Sequence, residues 1–233
     1  MTTLLVVRHG QASFGAENYD QLSSLGIKQS RRLGAWLAQR AIRLDAVWCG
    51  PLQRQIDTTR HLIGAAQENG LQLPEPEILD GFREIHAPDL VRRILPQLDK
   101  EVLTARAQSL IQERSTLSTE GAHFILALDA WAKGLVDVGE LESFAAFETR
   151  VQRALEHVGD HAAPDKYFAV ITSAGPTAIA MRLALGLDPG LTMELGGRIE
   201  NSSVTQLRFH QRRLKLIAFN SVDHLEREEV TRI

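Results

Sequence analysis

Three short apolar runs, separated by longer segments with helical periodicity, constrain the fold of this 233-residue chain more than any other feature. They are Leu4–Val7, Ala46–Cys49 and Phe168–Thr172. Short apolar runs of this kind are typical of strands buried on both faces, as in parallel sheets. The segments Leu25–Arg40 and Leu52–Ala66 between them carry apolar residues at helical spacing. This alternation predicts an α/β fold with helices on both faces of a mostly parallel sheet.

Two later regions complete the predicted architecture. Val204–Phe209 and Leu214–Phe219 flank a polar turn, which predicts a hairpin at the sheet edge. From about residue 87 to 160 the pattern is helical, and we expect a helical insertion that lies over the strand ends as a cap. The segments that could each hold a helix there are Leu90–Gln112, His123–Lys133 and Leu141–His157. No Pro- or Ser-rich linker divides the chain, so we expect a single domain over residues 1–233.

Composition narrows the range of partners and compartments. The formal net charge of −3 argues against nonspecific binding to nucleic acid. Cys49 is the only cysteine, so an intrachain disulfide cannot form, which fits a reducing cytoplasm. The sequence shows neither a signal peptide nor an apolar stretch long enough to cross a membrane. We therefore predict a cytoplasmic protein with no nucleic-acid or membrane partner.

The first apolar run leads directly into Arg8-His9-Gly10. The carboxyl end of a strand is where open α/β sheets place their ligands. The guanidinium of Arg8 fits phosphate or carboxylate, and Gly10 lets the backbone approach a ligand closely. The imidazole of His9 could serve as a nucleophile, a proton carrier or a metal ligand. These three residues alone do not distinguish such a site from an ordinary loop.

Four further segments support the interpretation of Arg8-His9-Gly10 as part of a ligand site. They are Tyr19–Gln29, Gly50–Thr59, Phe82–Glu84 and Asn201–Thr205. With Arg8-His9-Gly10 and in this order, they resemble the histidine phosphatase superfamily, also called the phosphoglycerate mutase-like family. The resemblance covers nearly the whole chain and is weakest from about residue 87 to 140. It implies the three-layer α/β/α sandwich of that family.

The resemblance also implies roles for individual residues. It assigns His9 as the residue that is phosphorylated, and Arg8 and Arg54 as the residues that hold the phosphate. It assigns Glu84 as the acid that protonates the departing alcohol, which requires burial or bound phosphate to keep its proton in place. The chemistry requires a neutral His9 ring that attacks phosphorus with one nitrogen, while a backbone acceptor near Gly10 holds the other. Water would then hydrolyse the phosphohistidine.

The chain departs from the family where a second active-site histidine is expected after a late strand. The matching segment is Thr172-Ser173-Ala174-Gly175-Pro176, which places Ser173 at that position. A serine hydroxyl can donate to a phosphate oxygen, but it cannot carry positive charge. We expect Ser173 and the backbone at Ala174 to bind phosphate. Alternatively, Ser173 simply precedes a helix with Pro176 in its first turn, and the two interpretations are compatible.

Weaker candidates surround this predicted site. Gln11 and Asn18 are candidates for substrate contacts, and Gly10 is expected to support the loop. His86, two residues beyond Glu84, is the best candidate to replace the missing histidine.

Other chemistries fit the sequence less well. Cys49 to Arg54 gives Cys-x₄-Arg, one residue shorter than the Cys-x₅-Arg loop of a cysteine phosphatase. Metal-ligand motifs are missing, and no G-x-G-x-x-G follows an early strand, so we predict no metal and no cofactor. The family's mutases carry a Tyr/Lys/Arg-rich segment after the acid. Residues 85–95 show no equivalent, which favours hydrolysis over phosphoryl transfer.

We therefore predict a metal-independent phosphatase acting on a small phosphorylated metabolite. Two alternatives stay open: a catalytically attenuated relative that binds a phosphorylated ligand as a sensor or scaffold, and a mutase-type phosphotransferase. Asn201 and His224 are interpreted as structural residues. Dimers are common in the family, so a homodimer is one expected assembly, although the sequence leaves the oligomeric state open.

Overall fold

The computed structural model describes residues 1–13, 20–113, 117–210 and 213–232. Within them, six strands form one sheet in the order β3-β2-β4-β1-β5-β6. Their bounds are β1 Thr2–Arg8, β2 Ala46–Cys49, β3 Pro76–Ile78, β4 Tyr167–Thr172, β5 Val204–His210 and β6 Arg213–Ser221. The strands β1 to β4 pair in parallel, whereas β5 runs antiparallel to both of its neighbours. The sheet is therefore mostly parallel with a hairpin at one edge, as predicted.

Helices cover both faces of this sheet. Their bounds are α1 Ser24–Gln39, α2 Gln53–Glu68, α3 Ala87–Ile94, α4 Lys100–Glu113, α5 Thr119–Ala132, α6 Phe144–Asp160, α7 Ala174–Leu185 and α8 Pro189–Gly196. One face packs against α1 and α2 through a core that includes Leu33, Leu37 and Leu62. The other face packs against α6 and α7 through Val151 and Ile179, among others. This is the predicted three-layer α/β/α sandwich.

The sequence pattern fails at two elements of the fold. It does not predict β3, because this strand has only three residues and two of them, Glu77 and Ile78, are exposed. The predicted helix Leu90–Gln112 is wrong as a single element, because it divides into α3 and α4. A 3₁₀ turn with Pro96 separates the two helices. Proline lacks the N–H that a continuing helix needs and clashes with the preceding turn.

The helices between residues 87 and 160 pack in two ways. α6 lies on the sheet, where Val151, Leu155 and Val158 join the main core. α4 and α5 share a separate small cluster centred on Ala107 and Ala122. The interpretation of this region as a cap over the site stays a prediction. No helix in the described ranges is both long and apolar enough to cross a membrane.

Strand register brings the predicted site residues to one edge of the sheet. Arg8 pairs with Thr172 across the parallel β1–β4 ladder, so His9 and Ser173 leave adjacent strands side by side. β2 pairs with the opposite edge of β4 from β1, and Cys49 is the last residue of β2. Helix α2 begins shortly after Cys49. The carboxyl ends of three parallel strands therefore converge at this edge, where open α/β sheets bind ligands.

Candidate active site

His9 is buried, and the backbone fixes the orientation of its ring. Nδ1 lies 2.7 Å from the carbonyl oxygen of Gly10, so Nδ1 carries the proton and donates it. Burial, followed by the charges of Arg8 and Arg54, lowers the pKa of His9 well below its ordinary value, although the Gly10 carbonyl opposes this shift. The ring is therefore neutral near neutral pH, with its lone pair on Nε2. This is the protonation state that nucleophilic attack requires.

Gly10 holds this loop through contacts with α1 and α2. Its N–H donates to Thr58 Oγ1 over 3.0 Å. A Cβ on Gly10 would lie 2.4 Å from the carbonyl oxygen of Gly26, so the close approach is to the backbone of α1. The side-chain oxygen of Gln11 accepts from Ser23 Oγ over 2.8 Å. Gln11 thus helps to hold the start of α1, while Asn18 lies outside the described residues.

Arg54, in the first turn of α2, connects His9 to an acidic side chain. Its Nε lies 3.1 Å from His9 Nε2 and donates to it. Its Nη1 lies 2.6 Å from Asp20 Oδ1, and the other oxygen of Asp20 accepts from the Gln53 N–H over 2.9 Å. The N-terminus of α2 therefore faces His9, and the carboxylate of Asp20 occupies that N-terminus.

Arg8 and the backbone of His9 are held by the turn that precedes β5. The Nη1 of Arg8 donates to the carbonyl oxygen of Ile199. The Ser202 N–H donates to the His9 carbonyl oxygen over 3.0 Å, and Asn201 Nδ2 contacts the same oxygen at 3.5 Å. Asn201 therefore contacts the backbone of His9, and its interpretation as a structural residue stays a prediction.

Glu84 lies against the N-terminus of α7. One carboxylate oxygen accepts from the Gly175 N–H over 2.8 Å, and the other accepts from the Ile85 N–H over 2.9 Å. A Cβ on Gly175 would lie 2.1 Å from a Glu84 oxygen, so only glycine leaves room for this carboxylate. Ala174 is the first residue of α7. Phosphate binding by its backbone stays a prediction.

Ser173 occupies the position before α7, but its hydroxyl does not cap that helix. Instead, Ser173 Oγ accepts a hydrogen bond from Gln55 Nε2 over 2.9 Å. Sequence analysis does not single out Gln55. Its one signal is its place, together with Thr58 and Leu62, on the buried face of α2. A polar side chain on such a face needs buried partners, and Ser173 is one of them.

His86 makes its contacts away from the residues just described. Its side chain is 73% exposed, and Nδ1 lies 2.7 Å from Oδ2 of Asp89, in the first turn of α3. Within the described ranges, no hydrogen bond joins His86 to His9 or to Ser173. The structure thus gives no support to His86 as the replacement for the missing histidine.

Comparison with known families agrees with this geometry. The family model of the histidine phosphatase superfamily (branch 1) matches residues 4–124 and 112–222. The chain belongs to the histidine phosphatase superfamily. The matched ranges include the segments around Arg8, His9, Arg54 and Glu84.

Individual relatives in the superfamily are distant. A 2,3-bisphosphoglycerate-dependent phosphoglycerate mutase from Staphylococcus carnosus is 38% identical over 69 residues, which is 27% of this chain and 30% of that protein. A mutant phosphoserine phosphatase from Entamoeba histolytica, in complex with phosphoserine, superposes with a TM-score of 0.63 at 16% identity, covering 97% of this chain and 100% of that one. A phosphoglycerate mutase from Bacillus anthracis gives a TM-score of 0.64 at 17% identity, covering 96% and 94%. These structural matches show the shared fold.

Proposed function

We propose that this chain is a phosphatase that hydrolyses a small phosphorylated metabolite through a phosphohistidine on His9. The observation that carries this proposal is the state of the His9 ring. It is buried and neutral, with Nδ1 bound to the Gly10 carbonyl and Nε2 facing the guanidinium of Arg54. An imidazole acts as a nucleophile only when one nitrogen keeps its lone pair, and cations beside that nitrogen attract a phosphate.

The first step transfers the phosphoryl group to His9. The Nε2 lone pair attacks phosphorus as the bond from phosphorus to the alcohol oxygen breaks. Arg8 and Arg54 donate to the phosphoryl oxygens, which carry the developing charge. Arg54 now donates to Nε2, so its Nε must turn from the ring to the incoming phosphate. Binding of the phosphate thereby exposes the nucleophile.

Glu84 acts as the general acid in the first step and as the general base in the second. As the alcohol departs, the carboxyl of Glu84 gives a proton to its oxygen. In the second step the resulting carboxylate accepts a proton from water, whose oxygen attacks the phosphohistidine. The bond from phosphorus to Nε2 breaks, inorganic phosphate leaves, and His9 returns to its neutral form. A positioned acid–base group of this kind contributes about 10²–10⁴ in rate.

Ser173 supports a second candidate function, a phosphate-binding protein with attenuated catalysis. A neutral hydroxyl stabilises developing negative charge less well than a protonated imidazole would. Removal of one comparable donor from an oxyanion hole costs about 10²–10³ in rate. A family member with this loss could still bind a phosphorylated ligand as a sensor or scaffold.

The test is hydrolysis of p-nitrophenyl phosphate with a chelator present, combined with trapping of acid-labile phosphoprotein. We expect the wild type to turn over and to form a phosphohistidine that His9→Ala lacks. His86→Ala, which removes an exposed imidazole, is the matched control and should retain activity. Turnover that survives His9→Ala would overturn the proposal. A wild type that binds inorganic phosphate without turnover would support the phosphate-binding alternative.

A further inference from the structure

The carboxamide of Gln55 is buried, and its partners fix its orientation. Its Nε2 lies 3.0 Å from the carbonyl oxygen of Phe82, and its Oε1 lies 3.1 Å from the backbone N of Leu52. A carbonyl oxygen can only accept and a backbone N–H can only donate. These two contacts therefore determine which end of the amide is nitrogen, independently of Ser173.

This orientation determines the direction of the hydrogen bond to Ser173. The second hydrogen of Gln55 Nε2 points to Ser173 Oγ over 2.9 Å. Since an amide nitrogen cannot accept, Ser173 must be the acceptor, and its own proton must go elsewhere. Among the described residues, none accepts that proton, although the Ser173 side chain is only 1% exposed. A buried donor without an acceptor is costly, and a ligand oxygen would satisfy it.

Close packing around Gln55 restricts the position of its side chain. Gln55 is fully buried. A Cβ on Gly50 would lie 2.1 Å from Gln55 Oε1, so the amide uses space that only glycine leaves open. Ser173 in turn follows Thr172, whose carbonyl oxygen accepts from the His9 N–H over 2.8 Å. The residue before Ser173 is thus bound through its backbone to the backbone of His9, the proposed nucleophile.

We infer that Gln55 is a positioning residue that makes Ser173 a one-way hydrogen-bond donor to a phosphoryl oxygen. Where the resemblance places the family's second histidine, Ser173 would then act as a neutral donor whose direction Gln55 sets. This inference rests on the proposed phosphate site at His9. It adds that the strength of phosphate binding depends on a residue that does not itself contact the phosphate.

A double-mutant cycle on phosphate binding tests this coupling. Titration calorimetry with inorganic phosphate would compare the wild type, Ser173→Ala, Gln55→Met and the double variant. We expect Ser173→Ala to weaken binding about tenfold or more, as for loss of a hydrogen bond to a charged group. Gln55→Met should weaken it by a similar factor, and the double variant should bind no more weakly than the weaker single variant. Gln67→Met, which changes an exposed glutamine of the same helix, should bind as the wild type does.

Two results would overturn the inference. One is wild-type phosphate affinity in a folded Gln55→Met variant. The other is a double variant whose loss of phosphate affinity equals the product of the losses in Ser173→Ala and Gln55→Met. If Gln55→Met does not fold, Ser173→His tests the same geometry. An imidazole at position 173 needs the volume that the Gln55 amide fills. Ser173→His should therefore lose phosphate affinity, and addition of Gln55→Ala should restore it. Equal affinity of these two variants would contradict the inference.

Phosphate affinity is measured without turnover, so the two proposals can fail separately. A protein that shows the coupling but no hydrolysis would overturn only the proposed phosphatase activity. A protein that hydrolyses substrate through His9, while its Gln55 variants bind phosphate normally, would overturn only the role of Gln55.

Discussion

Acid should destabilise this protein through the buried imidazole of His224. Its Nε2 lies 3.0 Å from Ser202 Oγ, and its ring lies edge-on to Trp36 with centroids 6.3 Å apart. Burial lowers the pKa of His224 to about 4, against the opposing charges of Asp223 and Glu229. Because the Ser202 N–H holds the carbonyl oxygen of the proposed nucleophile, protonation of His224 would also disturb the site.

The sign and size of the effect follow from proton linkage. Well above pH 6.5 the ring is neutral in both the folded and the unfolded chain, so the free energy of unfolding does not depend on its protonation. Between about pH 6.5 and 4 the unfolded chain binds a proton that the folded chain does not. The free energy of unfolding therefore decreases as the pH is lowered through this range. With a pKa of about 4 when folded and 6.5 when unfolded, His224 alone removes about 2 kcal/mol between pH 7.5 and 5.

Urea unfolding followed by tryptophan fluorescence, at intervals from pH 7.5 to 5, measures this loss. The lowered pKa of His9 acts in the same direction, so the decisive quantity is the difference between variants. His224→Gln should lose about 2 kcal/mol less than the wild type over this range. His86→Gln, which removes an exposed imidazole, is the matched control. An unchanged pH dependence in His224→Gln would refute the reasoning.

Two further predictions concern glycines at close contacts. A Cβ on Gly34 would lie 2.1 Å from the Leu62 carbonyl oxygen, whereas one on Gly64 would meet nothing within 4 Å. In urea unfolding, Gly34→Ala should therefore lower the free energy of unfolding by about 1–3 kcal/mol. The control Gly64→Ala should raise it by about 0.5–1 kcal/mol. Equal effects of the two substitutions would contradict the packing of α1 on α2. Gly175→Ala should displace Glu84 and lower kcat about 10²-fold for an alkyl phosphate. It should lower kcat much less for p-nitrophenyl phosphate, whose phenolate leaves without a proton, and equal losses would argue against Glu84 as the acid.

The parts of the site that the sequence predicts are those that depend on local order along the chain. Arg8 ends the apolar strand β1, His9 directly follows it, and Arg54 lies at the start of α2, so each position follows from its own segment. The role of Gln55 could not be predicted in this way, because its partners Phe82 and Ser173 come from distant segments. Only the packed fold shows which buried polar groups meet.

An acidic side chain already occupies each of the two helix N-termini at this site, and this affects how a phosphate can bind. A helix N-terminus ordinarily attracts an anion through its free N–H groups and dipole. Here Asp20 accepts from the first turn of α2, and Glu84 accepts from the first turn of α7. In the proposed phosphate site, attraction of the phosphate must therefore come mainly from the side chains of Arg8 and Arg54. A neutral donor such as Ser173 then adds a short-range hydrogen bond without adding charge, so substitutions at this position should weaken phosphate binding by a factor that depends little on ionic strength.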